Sequence, residues 1–284
     1  MDITEIVRQL NLKRSGRTWR GTCPACGYRA AFSLSIRRDG RPIGWCASCQ
    51  DRDAITRAIS GETLPRLTPT DSAHDADAKV RSTDRAITLW NGSQPAIGTL
   101  AETYLTGRGL ANLAASGAIR FGVDTWHPNR KRYPAMIALV SDIAGEPIAV
   151  QRTYLTHDGR KAKVDPVRAT IGPYWGGMIR LHEHEPNRPL VIGEGTESSA
   201  SAGRLMGLPA WAAVSAGNLA KGLVLPPHVR RIVIAADPDQ PGCDAARYAW
   251  IRWTAEGREV RIATPDGVGD FNDLLVARRG TNAR

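Results

Sequence analysis

At 284 residues, with 42% hydrophobic and 23% charged side chains, the chain has the composition of a globular protein and room for two or three domains, which excludes wholesale disorder and fibrous repeats. No apolar run approaches the roughly 18 residues that a bilayer span needs. Asp2 and Glu5 stand where a secretory signal would be basic and then apolar, so the expectation is a cytoplasmic chain with no membrane partner. Lys and Arg total 38 against 28 Asp and Glu, and the resulting +10 is a field that attracts polyanions, most often nucleic acid.

That field is uneven along the chain. Residues 1–60 hold 11 basic and 5 acidic side chains and residues 120–168 hold 9 and 5, whereas 61–119 hold 5 and 6 and 186–284 hold 12 and 10. Four of the five cysteines fall in the first basic region. Cys23, Cys26, Cys46 and Cys49 read as C-x2-C, 19 residues, C-x2-C, the spacing of a zinc ribbon in which two knuckles give four thiolates to one Zn²⁺ per chain. A disulfide framework is the rival reading, and a reducing compartment opposes it. Around the ligands lie Trp19, Arg20, Phe32, Arg37, Arg38, Arg41 and Trp45, cations and rings suited to phosphates and stacked bases. Rings also serve a small core: Trp45 beside Cys46 reads as structural, and the arginines as DNA contacts.

From 60 to 79 the hydrophobic period gives way to Pro, Thr, Ser and Asp, which predicts a linker over 61–79 after a zinc-binding region at 1–60. Apolar residues at helical spacing return in "VRSTDRAITLWNG" and "GTLAETYLTGRGL", a predicted helical hairpin. Residues 133–155 alternate as two strands around Ala144-Gly145-Glu146-Pro147. Residues 80–186 are thus predicted to form a mixed, antiparallel subdomain. Arg130, Lys131 and Arg132, just ahead of the first strand, are candidate DNA contacts on charge alone.

Over 187–284 the texture becomes strand-then-helix. Strands are predicted at Leu190–Gly193, Ala210–Val214, Arg231–Ala236 and Val260–Ala263, with helical segments near 196–206, 218–224 and 242–256, which makes a Rossmann-like parallel sheet. Ligands bind beyond the carboxyl ends of such strands. Here those ends carry Glu194, Asp237 with Asp239, and Asp270 with Asp273. Carboxylates converging on one rim repel unless neutralised, and hard oxygen donors of this kind suit Mg²⁺ or Mn²⁺. The bland alternative is that each acid caps a helix, a reading that fits any one of them better than it fits all of them in this order. Cys243 reads as an inert small residue, "HEHE" at 182–185 as a solvated strand edge, and Trp250 and Trp253 as core. No G-x-x-x-x-G-K-[ST] occurs, so the sequence carries no P-loop helicase motif.

Glu194-Gly195, Asp237-Pro238-Asp239 with Gly242, and Pro265-Asp266-Gly267 followed by Asp270 together resemble the Toprim domain of bacterial- and phage-type DNA primases, topoisomerases and nucleases. The fold expected is therefore α/β: a zinc ribbon, a mixed α+β subdomain and a Toprim sheet. The departure is Asn272, where the family usually has a second aspartate; Asp273 is the possible substitute. The segment "MIALVSDIAGEPIAVQRTYLTHDGRKAKVDP" is similar to the one before Toprim in these primases, and Arg152 and Lys161 match the cations that face the nucleoside triphosphate there, with Lys163 and Arg168 beside them. A solvated basic loop is the alternative for Lys161, Lys163 and Arg168. The family's zinc ligand set usually includes a histidine, though four-cysteine forms exist among phage-type members. The resemblance implies primer synthesis on single-stranded DNA from nucleoside triphosphates, with Asp237, Asp239 and Asp270 on the metal, Glu194 joining them or moving a proton, and a separate replicative helicase as partner. A non-catalytic DNA-binding or recombination module and a Toprim nuclease are the other classes.

Overall fold

The computed structural model describes residues 3–16, 18–25, 27, 31–36, 40–46, 51–60, 69–267 and 269–282. The chain forms two compact units, residues 1–74 and 75–284. The boundary expected between 186 and 187 therefore lies inside the second unit.

In the first unit, helix α1 (Ile3–Gln9) precedes a four-stranded antiparallel sheet of β1 (Lys13–Ser15), β2 (Thr18–Gly21), β3 (Phe32–Ile36) and β4 (Pro42–Cys46), and helix α2 (Arg52–Ser60) follows. Alternation in β3 buries Phe32 and Leu34, which meet Ile6 of α1 and Ile55 of α2. Helix α2 packs so closely on β4 that a Cβ at Gly44 would meet Ile59, Ile55 and Phe32 within 3 Å, a position where only glycine fits.

Helix α3 (Pro69–Asn91) begins inside the stretch expected to be a linker, so residues 69–79 are helical, a correction to that reading. The short β5 (Gln94–Pro95) and α4 (Leu100–Gly107) follow, the latter capped by Thr99, whose hydroxyl accepts from the Ala101 N–H. An antiparallel sheet then runs in the order β5, β6 (Ile119–Trp126), β7 (Arg132–Ser141), β8 (Pro147–Tyr154), β9 (Arg168–Ile171). The expected strand pair is β7 and β8, in register from Ala135 opposite Tyr154 to Val140 opposite Ala149.

The last sheet runs β10 (Ile179–Arg180), β12 (Ala210–Ala212), β11 (Leu190–Gly193), β13 (Arg231–Ala235), β14 (Glu259–Ala263), with helices α5 (Thr196–Met206), α6 (Gln240–Ala255) and α7 (Phe271–Asn282). All pairs are parallel except β10 with β12. The chain steps from β11 outward to β12 and then back across to β13, so the strand order reverses between β11 and β13. A crevice opens at such a point beyond the carboxyl ends. The helix expected over 218–224 is instead one wide π-turn, Asn218–Gly222. Fully buried Asn218 explains it: its amide donates to the Gly177 and Ala213 carbonyls and accepts from the Gly176 N–H, which pins the segment to the neighbouring loops. Tyr104, Leu105, Met136, Ile179, Ala200, Ala212 and Leu275 share one apolar core. This core spans both sheets, which is why 75–284 is a single unit. No described helix is long and apolar enough to cross a membrane.

Candidate active site

The four-residue strand β11 is buried throughout and ends at Gly193, where a Cβ would lie 2.7 Å from the Ser199 hydroxyl. Gly195 caps α5 without a side chain, so Glu194 stands at the mouth of the crevice, half-buried. Across the switch point β13 ends at Ala235 and delivers Asp237, whose Oδ1 accepts from the Ser198 hydroxyl at 2.6 Å. Burial raises the Asp237 carboxyl above its ordinary pKa, and Asp270 and Asp239 push it the same way against the Ser198 hydrogen bond and Arg168. Asp237 therefore feels the charge of an acid on its own loop and of one on another.

Asp239 and Asp270 also do what the capping alternative foresaw. Asp239 Oδ1 accepts from the Gly242 N–H at 2.8 Å and caps α6. Asp270 Oδ1 accepts from the Asn272 and Asp273 N–H groups, and Asp273 Oδ2 accepts in return from the Asp270 N–H at 3.1 Å. That reciprocal arrangement is a capping box. In it the Asp273 Oδ2 is turned to the helix end, and the caps of α6 and α7 fix the aim of Asp239 and Asp270 respectively at the rim. Among the described residues no three His, Cys, Asp or Glu side chains sit close enough to cage a metal ion by themselves. Mg²⁺ commonly takes only one or two carboxylates with waters and phosphate oxygens. Hard carboxylate oxygens that repel one another fit such a cation.

Asn272 lies away from the rim. It is buried, its Nδ2 donates to the Arg108 carbonyl and the Ser201 hydroxyl, and its Oδ1 accepts from the Arg108 guanidinium at 2.9 Å. An amide supplies both donor and acceptor here. The residue fastens α7 to the end of α4.

The cations divide. Arg152 departs from expectation: it is 6% exposed, and its guanidinium donates to the Trp126 carbonyl at 2.6 Å and the Ala169 carbonyl at 3.4 Å. It lies in the middle of β8 on the face turned to the core, so it braces the strands rather than offering itself to a phosphate. Lys161 is partly exposed and points to Glu197 at 3.4 Å; Lys163 is exposed. Arg130 and Lys131 are exposed in the turn between β6 and β7, while Arg132 pairs with Asp124 at 2.7 Å and lies 4.3 Å from the Trp126 ring.

Glu197 is the residue that sequence reading missed. It is 3% exposed, accepts from the Arg168 guanidinium at 2.6 Å and from the Tyr104 hydroxyl, and faces Lys161. Burial alone would raise its carboxyl, but Arg168 and Lys161 outweigh burial and hold it far below the usual carboxylate range. Burial and the Glu197 charge push the Tyr104 hydroxyl well above its ordinary value. The available signal was a second acid three residues after Glu194, on the first turn of α5.

In the first unit Cys23 and Cys46 are buried in the small core, and Cys46 is paired with Phe32 across β3 and β4. The backbone folds back after Cys23, with the Gly27 N–H donating to the Cys23 carbonyl at 2.9 Å and Gly27 at φ +72°. Cys26, Cys49, Arg37 and Arg38 lie outside the described residues, and Arg41 is exposed. Trp45 is 51% exposed, which corrects its assignment to the core. Trp253 is fully buried as expected, but Trp250 is on the surface and donates to the Val260 carbonyl. "HEHE" at 182–185 is a loop rather than a strand, and Cys243 is exposed with its thiol 3.7 Å from the Asp237 carbonyl.

The fold and the rim define a Toprim-containing α/β protein. Residues 189–281 match the Toprim domain family, and residues 80–181 match a domain of unknown function (DUF7146). The structure is similar to the primase fragment of the bacteriophage T7 primase-helicase (14% identity, TM-score 0.45, 94% of this chain and 97% of that one). It is similar also to the Aquifex aeolicus primase zinc-binding and RNA polymerase domains (15%, 0.44, 100% and 83%) and to the E. coli primase catalytic core (19%, 0.42, 72% and 76%). Comparison with curated proteins gives no match.

Proposed function

We propose that this protein is a DNA primase, which joins nucleoside triphosphates into short primers on single-stranded DNA. The observation that carries the reading is that Glu194 and Asp237 follow the adjacent ends of β11 and β13 at the switch point of a Toprim sheet, where burial and then Asp270 and Asp239 raise the Asp237 carboxyl. Of Asp237, Asp239 and Asp270, one or two would hold Mg²⁺ or Mn²⁺ directly and the rest through its waters. A divalent cation bound there would neutralise charge on the transferring phosphoryl group and favour ionisation of the attacking hydroxyl. Ser198 holds the aim of Asp237, and the two helix caps hold Asp239 and Asp270. Glu194, at the crevice mouth beyond β11, takes the proton of the attacking 3′-hydroxyl or joins the metal ligands. Lys161 and Lys163 serve the phosphates.

The four cysteines would hold one structural Zn²⁺ per chain, and Arg37, Arg38 and Arg41 of that region, with Arg130, Lys131 and Arg132, would track the template backbone. A separate replicative helicase would supply unwound template. Metal analysis is expected to give one zinc per chain, lost when Cys46→Ser is combined with Cys49→Ser; undiminished zinc in that variant would reject the site.

Incubation with labelled nucleoside triphosphates, Mg²⁺ or Mn²⁺ and mixed single-stranded DNA tests the activity. Oligomer synthesis is expected. Strand cutting without synthesis would make the protein a Toprim nuclease, and neither activity would make it a non-catalytic DNA-binding or recombination module.

A further inference from the structure

The end of the parallel sheet away from the acidic rim carries a second concavity. It opens at the amino ends of β11 and β12, where α5 finishes, and encloses about 320 Å³, the size of a small binding pocket. Its floor is aliphatic: buried Leu110, Leu113 and Ala200 line it together with half-buried Leu208. Among the described residues that line it, none is Phe, Tyr or Trp.

The loop His182–Arg188 forms one side and is held in place from within the fold. The Ala210 N–H donates to His182 Nδ1 at 3.2 Å, the Trp211 indole donates to the His182 carbonyl at 2.9 Å, and His184 Nε2 lies 2.8 Å from the Arg188 carbonyl. Arg188 and Arg204 each spend a terminal nitrogen on a backbone carbonyl, Gly207 at 3.0 Å and Gly109 at 2.6 Å. Both guanidiniums are exposed, and among the described residues neither has a carboxylate partner, so each keeps further donors for a ligand. Glu183 is the one acid among the described lining residues, which leaves the rim with a surplus of positive charge. The carbonyl end of α5 would by itself repel an anion, and the two guanidiniums reverse the sign there. Helix capping accounts for the bond to Gly207. It does not account for Arg204, which reaches Gly109 instead, or for an aliphatic floor left open beside two cations.

We infer that this cavity receives an acidic peptide segment of a partner protein, with a large apolar side chain seated on the leucines and neighbouring carboxylates on Arg188 and Arg204. Charge and lining choose the occupant. Guanidinium forks match carboxylates, and a chain of net charge +10 attracts acids. A nucleobase would take its binding energy from a ring to stack on, and the floor has none. An apolar anchor in a pocket, bordered by arginines, is the usual energetic centre of a protein interface. Because the cavity and the acidic rim lie at opposite ends of β11, a seated partner leaves the rim open. The inference does not depend on the primase reading.

Fluorescence anisotropy of the full chain with a labelled hexapeptide of alternating glutamate and leucine provides the test. Counterparts with lysine in place of glutamate, or serine in place of leucine, are expected to bind at least about tenfold more weakly. Arg188→Gln with Arg204→Gln keeps an amide donor for each carbonyl and removes both charges, and is expected to weaken the glutamate-leucine peptide about tenfold to a hundredfold. Asn112 is exposed and lines the cavity, so Asn112→Trp fills it from outside without touching the core; the same loss is expected, with the melting temperature of the parent. Should one variant fail to fold, the other decides. No binding by the parent chain, parent-like affinity in a folded variant, or equal binding of the serine peptide overturns the inference. A single-stranded oligonucleotide that loses affinity in the same variants would make the cavity a nucleic-acid site, and self-association abolished by Asn112→Trp would make it a contact between copies; either result also overturns it.

Discussion

Two charge clusters lie side by side at the end of the parallel sheet, and they solve opposite problems. Around Glu197 the protein supplies its own counter-ions: Arg168 and Lys161 more than balance a buried acid and hold it ionised. Around Asp237 it does not: burial first, and then Asp270 and Asp239, raise a half-buried acid against the Ser198 hydroxyl and the field of Arg168. A cluster balanced by covalently attached partners contributes to the folded state at all times. One left unbalanced becomes comfortable only when something binds, so the first reads as framework and the second as the place of chemistry. Arg168 belongs to both, because its charge reaches Glu194 and Asp237 while its hydrogen bond goes to Glu197.

The contrast is sharpest in the response to neutralising an acid. Asp237→Asn is expected to reduce primer synthesis at least about 10³-fold, some 4 kcal/mol of transition-state stabilisation, while the metal-free protein keeps its melting temperature or gains slightly. Labelled-nucleotide assays and thermal melts on the same preparation check both halves. Glu197→Leu should do the reverse for stability: it leaves two cations without their shared partner and is expected to cost about 2–4 kcal/mol in denaturant titration, below the full cost for a buried pair because Arg168 and Lys161 keep solvent contact. Equal melting behaviour in the two variants would erase the distinction between framework and chemical site.

Acid provides a graded version of the same test. Glu197 has a folded-state pKa below its unfolded value, so the stability it contributes is fully present above the ordinary glutamate pKa near 4.3 and declines as pH falls below it. The stability difference between the parent and Glu197→Gln is therefore expected to be largest at neutral pH and to narrow below about pH 4, as read by chemical denaturation at several pH values. A smaller effect is expected at the junction with α4. Asn272→Ala removes an amide that serves the Arg108 carbonyl, the Arg108 guanidinium and the Ser201 hydroxyl, and should cost about 1–3 kcal/mol, since it orphans buried polar groups. Hydrogen exchange at the amino end of α7 is expected to quicken in that variant.

Much of the second unit was legible from the chain alone. Short β-branched runs bounded by small residues gave β11 its ends at Leu190 and Gly193, and placed β13 and β14 within a residue of where they lie. The order of acids after those strands pointed to the rim because a parallel sheet puts every strand's carboxyl end on one edge. The Toprim match over 189–281 agrees with that reading.

Partners that are distant in sequence were not legible, because local period and composition say which face a residue occupies and nothing about what faces it across the fold. Glu197 looked like any acid on a first helical turn, where it suits the helix dipole. Its role comes from Arg168, 29 residues earlier, and Tyr104, 93 residues earlier, which only the packing of the antiparallel sheet and α4 against α5 brings to it. Arg152 and Asp273 show the same division. Their types and positions in the chain suited a phosphate and a metal ion, but the strand face turned one toward the Trp126 and Ala169 carbonyls and the helix start turned the other toward the Asp270 N–H. The sequence by itself determined the sheet, its edge and the acids along it, because those depend on periods of two and on strand direction. The tertiary structure decided which charges are neutralised by the protein and which are left for a ligand, because that balance depends on distances of a few ångströms between residues far apart in the chain.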